Sequence, residues 1–159
     1  PGRFVVVAST LVQRFGLRIV IVGTHQDDGD AVAEDLAAMV PAAPSTLNLQ
    51  GKTDLADLAA ILRRCRLFLG ADSGVMHLAA AAGAPVVAIF GATVPEFGFA
   101  PVGKHDQIVQ TSGLPCRPCA IHGGNRCPIT TFDCMKNITV EQVLASIHHV
   151  LVAQRAGVV

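Results

Sequence analysis

The sequence predicts an α/β fold, a Rossmann-like parallel sheet with helices on both faces, and three observations carry that expectation. Short β-like apolar runs alternate with segments of helical period, an alternation that demands parallel strands joined by helices. Runs such as Arg18–Val22 (RIVIV) stop at a glycine, as a buried strand ends at a turn. The 159 residues are 51% hydrophobic, enough for one core and within the size of one domain, so residues 1–159 are expected to form a single domain.

Along the chain, Phe4–Ala8 taken alone reads as strand, but Leu11, Val12 and Phe15 continue a helical face, which favours a helix over Phe4–Phe15. Arg18–Val22 is the first strand, and Gly29–Val40 then sets Val32, Leu36, Met39 and Val40 on one helical face. Thr46–Leu49 makes a brief strand. Thr53 can cap the next helix, whose Leu55, Leu58, Ala59 and Leu62 follow the i, i+3, i+4, i+7 stripe. Leu67–Leu69 is a strand, Asp72-Ser73-Gly74 a turn, Val75–Ala82 a small-residue helix stopped by Gly83, and Pro85–Phe90 (PVVAIF) another strand. Residues 91–137 are rich in Pro, Gly and Cys and show little periodicity, so an irregular insertion is expected there. Thr139-Val140-Glu141-Gln142 has the form of a capping box, and Val140, Val143, Leu144, Ile147, Val150 and Leu151 sustain one apolar stripe. A closing helix over about 139–153 follows.

Composition excludes several functions. Charged residues make up 15% of the chain, and 12 Lys+Arg balance 12 Asp+Glu, so no field draws nucleic acid or acidic lipid. With no Trp or Tyr, the stacking platforms of single-strand binders are missing as well. The apolar runs fall well short of the roughly 20 residues of a transmembrane helix, and Pro1-Gly2-Arg3 does not open a secretory signal. A first residue other than Met leads us to expect a start inside a longer protein. A cytoplasmic setting is expected, because four of the five cysteines crowd between positions 116 and 134 instead of framing the chain.

In an open parallel sheet, ligands sit beyond the carboxyl ends of the strands, where helix N-termini present free N–H groups that suit phosphate. Asp72, Ser73 and Gly74 occupy such a strand-to-helix turn, and His77 falls in the first helical turn beside them. Gly74 permits close backbone approach, Ser73 can donate to a phosphate oxygen, and the His77 imidazole can donate or carry charge near a dianion. Asp72 would repel phosphate, which leaves it to orient the loop or a ligand hydroxyl. The plainer alternative is that Asp72 or Ser73 only caps the helix and His77 is an ordinary helix residue. Thr93, past the Pro85–Phe90 strand, is either a polar contact facing the same cleft or part of a simple turn.

Cys116, Cys119, Cys127 and Cys134 have the spacing C-x2-C-x7-C-x6-C, enough thiolates for a structural zinc site or, less favoured, an iron–sulfur cluster. Reduced packing thiols and two local disulfides are the competing readings. Cys65 reads as packing. His105, His122, His148 and His149 have no spacing that points to catalysis, and the last two are expected on the exposed side of the closing helix.

The run DSGVMHLAAAAGAPVVAIFGATVP (Asp72–Pro95) closely resembles the signature of the bacterial heptosyltransferases, glycosyltransferases that add ADP-heptose to lipopolysaccharide core. The resemblance extends forward through CRPC (Cys116–Cys119), Cys127-Pro128, Cys134-Met135 and Ile138-Thr139, and back through Leu49, Gly51-Lys52-Thr53 and Val22-Gly23. It implies a GT-B-type fold of two Rossmann-like domains facing across a cleft, with this chain as the C-terminal, donor-binding half. It further implies that Asp72, Ser73, Gly74 and His77 meet the diphosphate and its sugar, that Thr53 meets the base through its backbone, and that Asp27 or neighbouring Asp28 meets the ribose. The catalytic base would lie in the N-terminal half, which would also hold a lipid-linked saccharide acceptor at the cytoplasmic face of the inner membrane. Transfer would be inverting and need no cofactor, and this half alone would transfer nothing. Half of a sugar-nucleotide epimerase and a free-standing nucleotide- or zinc-binding module are the alternatives. A dehydrogenase is disfavoured, since no G-x-G-x-x-G follows a strand.

Overall fold

The computed structural model describes residues 2–24, 29–39, 46–124 and 126–155. The chain divides into two compact units, the first ending at Leu58 and the second beginning at Ala59. Strand pairing among the described residues forms two parallel ladders, one in each unit, where the sequence led us to expect one sheet.

The first unit opens with α1 (Gly2–Phe15), so the helical reading of the opening stretch holds. Its buried residues Val5, Val7, Ser9 and Leu11 fall on two sides of the helix, Val5 with Ser9 and Val7 with Leu11, four residues apart in each case. The buried Ser9 hydroxyl is satisfied by donating to the Val6 carbonyl at 3.0 Å. β1 (Ile19–Ile21) then pairs in parallel with β2 (Thr46–Asn48), with α2 (Gly29–Met39) between them in sequence. Leu36 anchors α2 at 1% exposure, as its apolar face requires. Beyond the strand ends, the Leu49 amide donates to Ile21 and the Gly51 amide to Gly23, each at 2.9 Å. The Gln50 side chain, 7% exposed, donates to the Thr24 carbonyl and thereby holds the segment leaving β1. Gly29 lies against that same side chain, and a Cβ there would strike the Gln50 amide.

α3 (Leu55–Leu62) contains the boundary between the units, and here two expectations are corrected. Asp54, not Thr53, caps the helix: its Oδ1 accepts the Asp57 amide at 2.8 Å and its carbonyl accepts the Leu58 amide at 3.0 Å. Leu58 and Leu62 are buried, but Leu55 is 77% exposed. Side chains on a helix lean toward its N-terminus, so that of the first helical residue projects past the helix end.

The second unit carries β3 (Phe68–Ala71), α4 (Gly74–Ala81), β4 (Val86–Phe90), β5 (Gln107–Gln110), α5 (Asp133–Lys136) and α6 (Val140–Arg155). All three strands run parallel in the order β3-β4-β5, with Ala71 opposite Ile89 and Phe90 opposite Gln110. Every residue of β4 is buried, and alternate side chains point to opposite faces, so both faces of this central strand are covered. α4 packs on β3 and β4, and α6 on β4 and β5. Within α4, Met76 and Ala79 are fully buried; its small side chains let the helix lie close to the strands. Gly83, at φ +85°, ends it in the left-handed conformation that glycine adopts without strain.

The capping box of α6 is reciprocal, the Thr139 amide donating to Gln142 Oε1 at 2.9 Å and the Gln142 amide to Thr139 Oγ1 at 3.2 Å. Val143, Ile147, Val150 and Leu151 are buried, while His148 and His149 face outward. The stretch 91–137 is less irregular than expected. It holds β5, α5 and a short 3-10 turn at Pro95–Phe97, elements whose few apolar residues left no readable period.

Candidate functional site

The end of β3 delivers Asp72 to the mouth of α4, where its amide still donates to the Ile89 carbonyl of β4 at 3.2 Å. Ser73 is the N-cap of α4, extended in backbone, and its Oγ accepts the Met76 amide at 3.4 Å. Gly74 and Val75 then open the helix, at the positions where helix geometry leaves N–H groups with no intrahelical acceptor. Ser73 and Gly74 are exposed, and a Cβ on Gly74 would meet nothing within 4 Å, so this helix end is open to solvent.

Asp72 is mostly buried, at 15% side-chain exposure, while His77 is 47% exposed with its Nε2 3.9 Å from Asp72 Oδ1. The other carboxylate oxygen, Oδ2, accepts the hydroxyl of Thr93 at 2.8 Å. Thr93 is 8% exposed, so its polar group serves Asp72. One buried carboxylate therefore stands between a buried hydroxyl and an exposed imidazole, all beside the amides that open α4. Such an arrangement can present donors to an anion while the carboxylate is turned to its own protein partners.

Of the other expected site residues, Thr53 is half-buried just ahead of α3 in the first unit, and Asp27 and Asp28 lie outside the described residues. Arg117, between Cys116 and Pro118, has no sequence signal that points to a role. In the structure its guanidinium donates to a set of carbonyls where β4 and β5 end.

All five cysteines are free and half-buried. The all-thiol donor set suits a soft divalent ion. Among the described residues, however, no three His, Cys, Asp or Glu side chains stand close enough to hold one. Spacing brings the four into one segment without closing them on a common centre. The Cys119 thiol is pushed above the usual range by burial and then by the neighbouring Cys134, Cys116 and Cys127. Cys127 is held below it, first by the Phe132 amide donating to its sulfur at 3.5 Å and further by the amides of Ile129, Thr131 and Thr130. A lowered value means more thiolate near neutral pH, and thiolate is the reactive form. Cys127 is thus expected to alkylate before Cys119 when reduced, chelator-treated protein receives a timed pulse of iodoacetamide. Peptide mass mapping reads the order, and uniform labelling would remove the amide effect.

A family model described as glycosyltransferase family 9 (heptosyltransferase) matches residues 3–125, most of the chain. The chain belongs to glycosyltransferase family 9. Cys127, Cys134 and α6 lie beyond the matched residues. Among curated relatives, lipopolysaccharide heptosyltransferase 3 of Escherichia coli K12 is 36% identical over 91 residues, 57% of this chain and 26% of that protein. Among solved structures, the family 9 glycosyltransferase of Veillonella parvula aligns over 95% of this chain and 41% of its own, with a TM-score of 0.69 and 28% identity. ADP-heptose lipopolysaccharide heptosyltransferase II of E. coli aligns over 96% and 41%, with a TM-score of 0.71 and 24% identity. The α/β architecture of the chain is thus that of GT-B-type family 9 members, and the chain spans about two fifths of those solved structures.

Proposed function

We propose that this chain is the donor-binding half of an inverting heptosyltransferase, holding ADP-heptose while the sugar passes to a lipopolysaccharide core acceptor. The observation that carries the proposal is the open N-terminus of α4, with Ser73 and Gly74 exposed and His77 beside an Asp72 already engaged by Thr93. Positive partial charge at a helix N-terminus stabilises a diphosphate, and stabilises it more as charge grows on the departing group. His77, exposed beside Asp72, is assigned as a further donor to the same group. These donors take the part that a divalent ion plays elsewhere, so transfer by this scheme requires no metal. Thr53 and Asp27 are assigned to the base and the ribose, following the family resemblance of their segments.

The catalytic base and the acceptor are assigned to the remainder of the enzyme, acting at the cytoplasmic face of the inner membrane as a peripheral protein. No helix among the described residues is long and apolar enough to cross a membrane.

Calorimetric titration of the whole protein with ADP, UDP and GDP tests the reading, ADP being expected to bind tightest. His77→Ala is expected to weaken ADP several-fold, in keeping with the loss of one charge-assisted hydrogen bond. Equal binding of the three nucleotides, or an unchanged affinity in the variant, would count against the assignment; a preference for UDP would favour an epimerase.

A further inference from the structure

Arg117 spends its guanidinium on neutral groups. Nε donates to the carbonyls of Gly91 at 2.7 Å and Thr93 at 3.1 Å, and Nη2 donates to Thr93 O and Gln110 Oε1, each at 2.7 Å. Nη1 donates to the Thr111 carbonyl at 2.9 Å. Two residues on, the Cys119 amide donates to Ala92 O at 3.1 Å. Three successive carbonyls of the loop leaving β4, those of Gly91, Ala92 and Thr93, are therefore all turned toward residues 117–119.

The side chain of Thr93 leaves that same loop in the opposite service, donating to Asp72 Oδ2 at 2.8 Å. Fixing a residue's carbonyl fixes its peptide plane, and for a β-branched residue the few allowed χ1 values then leave the hydroxyl little freedom of direction. Asp72, aimed by Thr93, in turn stands 3.9 Å from His77. A planar fork with donors on three nitrogens is needed to reach carbonyls spread over the ends of two strands; an ammonium group, whose donors radiate from a single atom, cannot.

We infer that Arg117 is a positioning residue of the donor site, setting the loop that carries Thr93 so that Asp72 and His77 face the nucleotide correctly. The inference rests on the donor-site reading above, and it assigns to the segment between Cys116 and Cys119 a part in nucleotide affinity.

The test uses the whole protein, with ADP as the probe and calorimetry and thermal melting as the readouts. Arg117→Lys keeps the charge and loses the fork. It is expected to raise the Kd for ADP at least fivefold, and to raise KM for the sugar nucleotide more than it lowers kcat. Thr93→Val removes only the hydroxyl and is expected to do the same, and the double variant should bind no worse than the weaker single, because both act through one path. Arg117→Lys with a wild-type melting temperature and an ADP affinity within twofold of wild type would overturn the inference, as would losses that multiply in the double variant. If Arg117→Lys does not fold, Thr93→Val decides alone: undiminished ADP binding there overturns it. Failure of the wild-type protein to bind ADP would instead remove the donor-site reading, and this inference with it.

Discussion

Phe90→Ala is expected to lower the stability of the chain by about 3–5 kcal/mol, the range for deleting a buried aromatic ring. Phe90 is the last residue of β4, fully buried, in a strand whose other four members are also buried. The ring cannot be replaced by solvent from either face without opening the sheet, so a cavity remains. Against a total stability of about 5–15 kcal/mol for a domain, the loss takes away a large share. Urea unfolding followed by circular dichroism should show a lower midpoint with an unchanged slope. A loss under about 1 kcal/mol would mean that the site collapses freely around the gap, against the close packing described for this strand.

Asp106→Ala is expected to cost about 2–4 kcal/mol: the bond from the buried Val86 amide to the carboxylate contributes roughly 1.5–3 kcal/mol, and the exposed Gly103 amide, which water can satisfy, adds about 0.5–1 kcal/mol. Oδ1 accepts the amide of Val86, the first residue of β4, at 2.8 Å, and Oδ2 accepts the amide of Gly103 at 2.7 Å. Val86 is fully buried, so without the carboxylate its N–H has no water to turn to. Gly103 belongs to the same device, since a Cβ there would stand 2.6 Å from Asp106 Oδ2. Asp106→Asn, which keeps one acceptor oxygen, should recover part of the loss. The same urea titration measures both variants. An alanine variant as stable as wild type would mean that these amides find other acceptors.

The strands and helices with strong apolar patterning were legible in the sequence: β4 from PVVAIF, α6 from its capping box and stripe, α4 from the turn before it and Gly83 after it. β5 was not, because QIVQ offers two apolar residues, of which only Val109 is buried. The cap of α3 was misread by one position because Thr53 and Asp54 are adjacent and either side chain can cap; the geometry chose the carboxylate. The turn at Asp72 could be located from residue types at a strand-to-helix junction. Its internal wiring could not. Thr93 lies 21 residues from Asp72, and all but one of the acceptors of Arg117 are backbone carbonyls, up to 27 residues away, which no side-chain pattern encodes.

β4 is enclosed by a neighbouring strand on each edge and by packed side chains on each face. The Asp72 turn is bonded to this strand, and the Thr93 loop is its direct continuation. Regions so tied open only with free energies that approach global unfolding. On the proposed donor-site reading, a nucleotide arriving there would meet backbone already ordered by folding, so little of its interaction energy would be consumed in quieting the receptor.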